Sequence, residues 1–245
     1  MKVARFPAAV AAIAAALLGL VPASGGAAVS RTISLRTEDG VALAATWYQA
    51  GRPEAPAVIL LHMQTRSRAD WQSLGQRLAD AGIHALAVDF RGHGASGAAP
   101  PGADGPPDLS RLVLDVQAAR AALAAGDFGR VSAVGIAGAS VGANVAILAA
   151  AADPAIRSLA LLSAGLDYRS LRTAVPMGQY GDRPALLVAS TEDPYALRSA
   201  RELGRLGAGL REVRLLDGAG HGSTMLNRVA ALGPALVDWF QRTLL

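Results

Sequence analysis

Val131-Ser132-Ala133-Val134-Gly135-Ile136-Ala137 runs directly into Gly138-Ala139-Ser140-Val141-Gly142, and the small-residue stretch 143–152 follows. A mostly apolar run of this length predicts a strand covered on both faces, and an alanine-rich run predicts a helix. Between them lies G-x-S-x-G, placed where a buried strand hands over to a helix, the arrangement of a nucleophile elbow. A reversal this tight forces the serine into strained dihedrals. Side chains larger than Gly or Ala at the flanking positions would collide with neighbouring backbone. The letters alone carry little, since this glycine-rich composition supplies about 0.2 copies by chance. Their weight comes from the strand before, the helix after, and an acid and a histidine that follow in order.

Upstream, residues 32–36 and 41–48 alternate apolar and polar around Glu38-Asp39-Gly40, which predicts a hairpin. Residues 57–62 and 84–89 are continuous apolar runs with a helical stretch, 69–81, between them that stops at Gly82. Residues 98–107 hold four prolines and two glycines and predict a loop. Asp108 then caps a helix whose Leu109, Leu112, Val113, Val116 and Leu123 share one face. Strand candidates recur at 131–137, 158–162, 185–190 and 211–216, and a last helix spans about 234–244. Two hairpin strands followed by strand–helix alternation imply an α/β fold, a mostly parallel sheet with helices on both faces. No repeat and no second domain is visible. Residues 163–183, between two core strands, are too few for a large cap domain, so an open site is expected.

The chain opens Met1-Lys2-Val3-Ala4-Arg5, continues apolar through residues 6–21, and then reads Pro22-Ala23-Ser24-Gly25-Gly26-Ala27-Ala28. A basic start, an apolar middle and a small-residue cleavage zone predict a secretory signal peptide over residues 1–28. The apolar run is shorter than the roughly 20 residues that span a bilayer. No membrane span is therefore expected after cleavage, and the mature domain, 29–245, is expected to be periplasmic or secreted. The absence of cysteine rules out disulfides, so stability must come from the core. The net charge of +4 includes Lys2 and Arg5, and the remaining arginines are scattered among acids. That pattern excludes the concentrated basic patch of a nucleic-acid binder.

On these residues the chain resembles the α/β-hydrolase superfamily, and most closely its small lid-free members similar to dienelactone hydrolases and serine esterases. The resemblance covers essentially the whole of residues 29–245. It implies an eight-stranded sheet with the first pair antiparallel and the active site at the carboxyl ends of the parallel strands. It assigns the nucleophile to Ser140 and the general base to His221, in Asp217-Gly218-Ala219-Gly220-His221-Gly222 after the last strand. The orienting acid falls to Asp193, in Thr191-Glu192-Asp193-Pro194, which preserves the order Ser, Asp, His. Asp167 after the preceding strand is a rival, Glu192 is adjacent, and Asp193 also reads as a simple helix cap before Pro194. His62, His84 and His93 read as structural.

The same resemblance places the oxyanion hole on the backbone N–H of Val141 and on the loop after His62, where Gln64 or Met63 would donate. Relatives carry His-Gly there and this chain has His62-Met63-Gln64, so the second donor stays open. Arg66 and Arg68 lie beyond, as candidates for a substrate carboxylate or as solvated side chains. Met177, Tyr180 and Tyr195 are candidates for an acyl pocket or for core. The expected activity is hydrolysis of a small-molecule carboxylic ester or lactone through an acyl-enzyme on Ser140, with no metal and no organic cofactor. A peptidase or acyltransferase sharing the triad, and a non-catalytic binding scaffold, are the alternatives. The sequence says nothing of oligomeric state.

Overall fold

The computed structural model describes residues 29–98, 108–126 and 128–245. It begins with an antiparallel hairpin of β1 (Val29–Arg36) and β2 (Ala42–Gln49). Gly40, at φ 85°, makes the turn, and the Thr37 hydroxyl oxygen accepts from the Val41 N–H at 2.9 Å. β3 (Glu54–Leu61) follows, then a 3-10 turn (Arg68–Trp71) continuous with α1 (Gln72–Asp80), then β4 (His84–Val88). After α2 (Leu112–Ala125) come β5 (Arg130–Ala139), α3 (Val141–Ala152) and β6 (Ile156–Leu162). A two-residue ladder, β7 (Asp167–Tyr168) with β8 (Leu171–Arg172), leads into α4 (Ala174–Gln179). The chain ends β9 (Ala185–Ser190), α5 (Pro194–Leu203), β10 (Arg211–Leu216), α6 (Met225–Arg228) and α7 (Leu232–Leu244).

The eight long strands form one sheet in the order β1-β2-β4-β3-β5-β6-β9-β10. β2 is antiparallel to both its neighbours, and the pairs from β4 to β10 are parallel. β3 shows why its sequence is apolar without interruption. Ala57, Ile59 and Leu61 enter a core shared with α2, α3 and α5, while Val58 and Leu60 enter a second core with α1 and α7. A strand sandwiched this way has no solvent face on which to place polar residues. Residues 163–183 amount to the small ladder and α4, so among the described residues no large cap lies over the sheet.

Element boundaries moved by a few residues from the sequence reading. The stretch 69–81 splits into a 3-10 turn and α1, because the Ser67 hydroxyl caps the entry and Gly82, at φ 81°, supplies the exit. The loop expected over 98–107 lies, from residue 99 onward, outside the described residues, as does the signal segment 1–28. Among the described residues no helix is long and apolar enough to cross a membrane.

One buried ion cluster braces the loop after β4. The Arg91 guanidinium donates to Asp115 on α2 and to Asp39 in the first hairpin turn, at 2.7–2.8 Å. Those bonds hold the Asp39 carboxyl down to about 2, whereas burial pushes the Asp115 carboxyl up.

Candidate active site

Ser140 sits at φ 51° between β5 and α3, in the left-handed region that non-glycine residues rarely enter. The elbow glycines explain how it is held there. A Cβ on Gly138 would lie 2.4 Å from the Gly142 carbonyl oxygen, and one on Gly142 would lie 2.4 Å from that of Leu61. β5, the first turn of α3 and the end of β3 therefore approach one another at distances that only glycine permits. The Ser140 N–H donates to the Leu162 carbonyl at 2.8 Å, anchoring the turn to β6.

Asp193 follows β9 and His221 follows β10, so strand direction alone brings all three residues to one rim of the sheet. His221 Nδ1 lies 2.5 Å from Asp193 Oδ2, and its Nε2 lies 2.8 Å from Ser140 Oγ. A carboxylate can only accept, so Nδ1 carries the proton and Nε2 is left to accept from the serine hydroxyl. The Asp193 side chain is mostly buried, while that of His221 is half exposed. Asp193 Oδ1 meanwhile accepts from the Ala196 N–H at 3.0 Å, capping α5 with Pro194 in its first turn. The carboxylate thus serves both the helix end and the imidazole, one oxygen each.

Asp167 is placed elsewhere. Its carboxylate accepts from the Ser170 N–H and from Arg172, within the small β7–β8 ladder. The remaining histidines have other partners. Buried His62 donates from Nδ1 to the Met63 carbonyl and accepts at Nε2 from the Phe90 N–H. Buried His84 accepts from Ala50, and burial lowers the pKa of both rings. His93 Nδ1 bonds the Arg91 carbonyl.

The N–H of Val141 opens α3 directly after Ser140. On the opposite side, residues 63–66 form a turn in which the Met63 carbonyl accepts from the Arg66 N–H and from His62. With that carbonyl directed at His62, peptide planarity points the Gln64 N–H the other way. The Met63 sulfur packs against Gly222, close enough that a Cβ there would lie 2.6 Å from it.

Five further candidates take different places. Arg68 is paired with the buried Asp89 carboxylate and bonded to Thr46. Arg66 is paired with Asp70 at 2.9 Å. Tyr180 is in the core, its hydroxyl donating to the Pro184 carbonyl just before β9. That is the amino end of the strand, opposite the elbow, and Met177 is buried in the same core. Tyr195 does lie on the rim, but its hydroxyl is engaged with both the N–H and the carbonyl of Asp167.

Sequence reasoning missed the residues that hold the His221 loop. The Gly222 N–H donates to Ser163 Oγ at 3.0 Å, and Ser163 is itself a buried non-glycine residue at φ 54°. Thr224 Oγ1 accepts the His221 N–H and donates to its carbonyl, and Ser223 Oγ donates to Asp70. No local spacing announces a bond between positions 70 and 223.

With this geometry in view, residues 51–188 match the family model described as serine aminopeptidase, S33. A 68-residue stretch is 43% identical to epoxide hydrolase A of Mycobacterium tuberculosis, covering 28% of this chain and only 20% of that protein's length. Among solved structures, the Pyrococcus furiosus esterase Pf2001 superposes with a TM-score of 0.71 at 20% identity, over 88% of this chain and 93% of that one. A dienelactone hydrolase from Anabaena variabilis gives 0.71 at 16% identity, over 90% and 100% respectively. At such identities the structural likeness establishes the fold.

Proposed function

Because the chain belongs to the serine aminopeptidase S33 family, within the α/β-hydrolase superfamily, we propose that it is a serine hydrolase cleaving carboxylic esters, lactones included, through an acyl-enzyme on Ser140. The observation that carries this reading is a single imidazole, His221, bonded at once to a carboxylate and to the hydroxyl of an elbow serine. Ser140 Oγ attacks the ester carbonyl as His221 Nε2 takes its proton. The Val141 and Gln64 N–H groups donate to the oxygen that becomes anionic, and Asp193 stabilises the imidazolium. His221 then returns the proton to the departing alkoxide, leaving acylated Ser140. A water, deprotonated by the same nitrogen, attacks the acyl carbon; the bond to Ser140 Oγ breaks, the serine oxygen takes the proton back from His221, and the acid is released. A rim without a large cap among the described residues suits compact substrates that need no enclosure. The esterase and dienelactone hydrolase folds that superpose on this one favour an oxygen leaving group.

A second reading, cleavage of an aminoacyl amide, is favoured by the description of the matched family. Both share the acyl-enzyme and differ in the leaving group. A fluorophosphonate probe tests what they share, because Ser140 Oγ displaces fluoride to form a stable adduct. Labelling of the parent but of neither Ser140→Ala nor His221→Ala is expected. Absence of labelling in the folded parent would instead favour a binding scaffold. Turnover on short-chain esters, lactones and aminoacyl amides then separates the two enzymatic readings. We further propose that residues 1–28 direct export and are removed. The mass of the protein recovered from the periplasm or medium tests this, and retention of Met1 to Ala28 there would refute it.

A further inference from the structure

We propose that Asp70 is a positioning residue that ties the turn beside the elbow to the loop bearing His221, so that the second oxyanion donor and the base keep a fixed separation. The inference rests on the catalytic reading above and adds a part that neither the elbow motif nor the triad contains. Asp70 lies in the 3-10 turn before α1, with its side chain largely buried. From one side it takes Arg66, the last residue of turn 63–66, with Nε at 3.0 and 3.1 Å from the two carboxylate oxygens and an Nη at 2.9 Å. From the other it accepts the hydroxyl of Ser223, a buried residue two positions after His221. One carboxylate thus joins two segments that also meet where the Met63 side chain packs against Gly222.

The chemistry requires such a tie. Gly220 and Gly222 give the histidine loop φ values of 79° and 58°, which only glycine adopts freely, so the loop lacks intrinsic stiffness. Ser163 fixes it toward β6 through the Gly222 N–H, and Asp70 fixes it toward β3. Arg66, which its position offered as a contact for a substrate carboxylate, is committed to this latch. Its pairing with Asp70 raises the guanidinium pKa further.

Asp70→Ala, Ser223→Ala and the double variant test the proposal, with Asp70→Asn as the conservative case whose amide oxygen still accepts from Ser223. Loss of the latch is expected to lower kcat on a chromogenic ester by about 10- to 100-fold with KM within about twofold. The double variant is expected to fall no lower than Asp70→Ala, and Asp70→Asn to retain more activity than Asp70→Ala. An activity-independent readout is the downfield proton resonance of His221 Nδ1–H, assigned by its absence in His221→Ala. It should be sharp in the parent and broadened in Asp70→Ala and Ser223→Ala. Losses that add in the double variant and track a lowered Tm, or kcat and resonance both unchanged, would overturn the latch. A parent that shows the sharp resonance but no ester turnover and no fluorophosphonate labelling would sink the hydrolase reading instead. The resonance would then still decide for or against Asp70.

Discussion

Gly142→Ala is the substitution in which the geometry of the elbow makes its firmest demand. The added methyl would sit 2.4 Å from the Leu61 carbonyl oxygen and 2.7 Å from that of His62. An ordinary carbon–oxygen contact is about 3.3 Å, so the first turn of α3 and the end of β3 must part by about 0.9 Å. Both contacts are backbone, and no side chain can swing aside to absorb the displacement. Overpacking of this kind costs about 1–3 kcal/mol, which for a domain of this size lowers Tm by roughly 2–12 °C. The same movement separates the Val141 N–H from the turn after His62, and a misplacement near 1 Å costs about 10²-fold in turnover. Gly178→Ala is the control. Gly178 lies in α4 with nothing within 4 Å of its Cβ position, so it should be neutral or stabilising by about 0.4–1 kcal/mol. Thermal denaturation followed by circular dichroism, with ester turnover on the same preparations, reads both effects. If Gly142→Ala matches the parent in Tm and turnover, the close approach of β3 and α3 is not what holds Ser140 in place.

Asp193→Asn should lower turnover by on the order of 10⁴ while leaving Tm nearly unmoved, because Asn caps a helix as well as Asp does. Asp167→Asn should leave turnover nearly intact, and the reverse ranking in ester kinetics would reassign the acid. Arg91→Met strands the buried Asp115 carboxylate and should cost about 3–5 kcal/mol in urea unfolding, much of it recovered in Arg91→Met/Asp115→Leu. A loss below about 1 kcal/mol would mean the cluster is not bracing the fold. His62 and His84 are held neutral by burial, so their folded pKa values lie below the 6.5 of an unfolded imidazole. The unfolded chain therefore takes up more protons once the pH drops below 6.5. Stability should be complete above that pH and fall beneath it by up to about 1.4 kcal/mol per unit for each ring. Urea midpoints at neutral and mildly acid pH should show this, and a slope that persists in His62→Gln/His84→Gln would assign it to other groups.

The sheet was legible because its central strands are apolar on both faces, its hairpin strands alternate, and its helices are punctuated by Gly82, Asp108 and Pro194. The meeting of Ser140, Asp193 and His221 was legible for a related reason. In a parallel sheet, residues just after successive strands arrive at one edge whatever their separation along the chain. Arg68 and Tyr180 escaped that logic. Asp89, the partner of Arg68, lies 21 residues further along the chain, and Tyr180 packs at the amino end of β9, away from that edge. Asp70 and Ser163 were hidden for the same reason, being ordinary polar residues whose roles exist only once β3, β6 and the histidine loop have come together.

The two oxygens of Asp193 bind in different directions, one into the amino end of α5 and one to the imidazole. Its χ angles are consequently locked as soon as that helix docks, long before any ligand arrives. The rotameric freedom of the acid is surrendered during folding, so substrate encounter does not have to order it. Replacement by Glu, with one more rotatable bond, would restore that freedom and leave α5 without its cap.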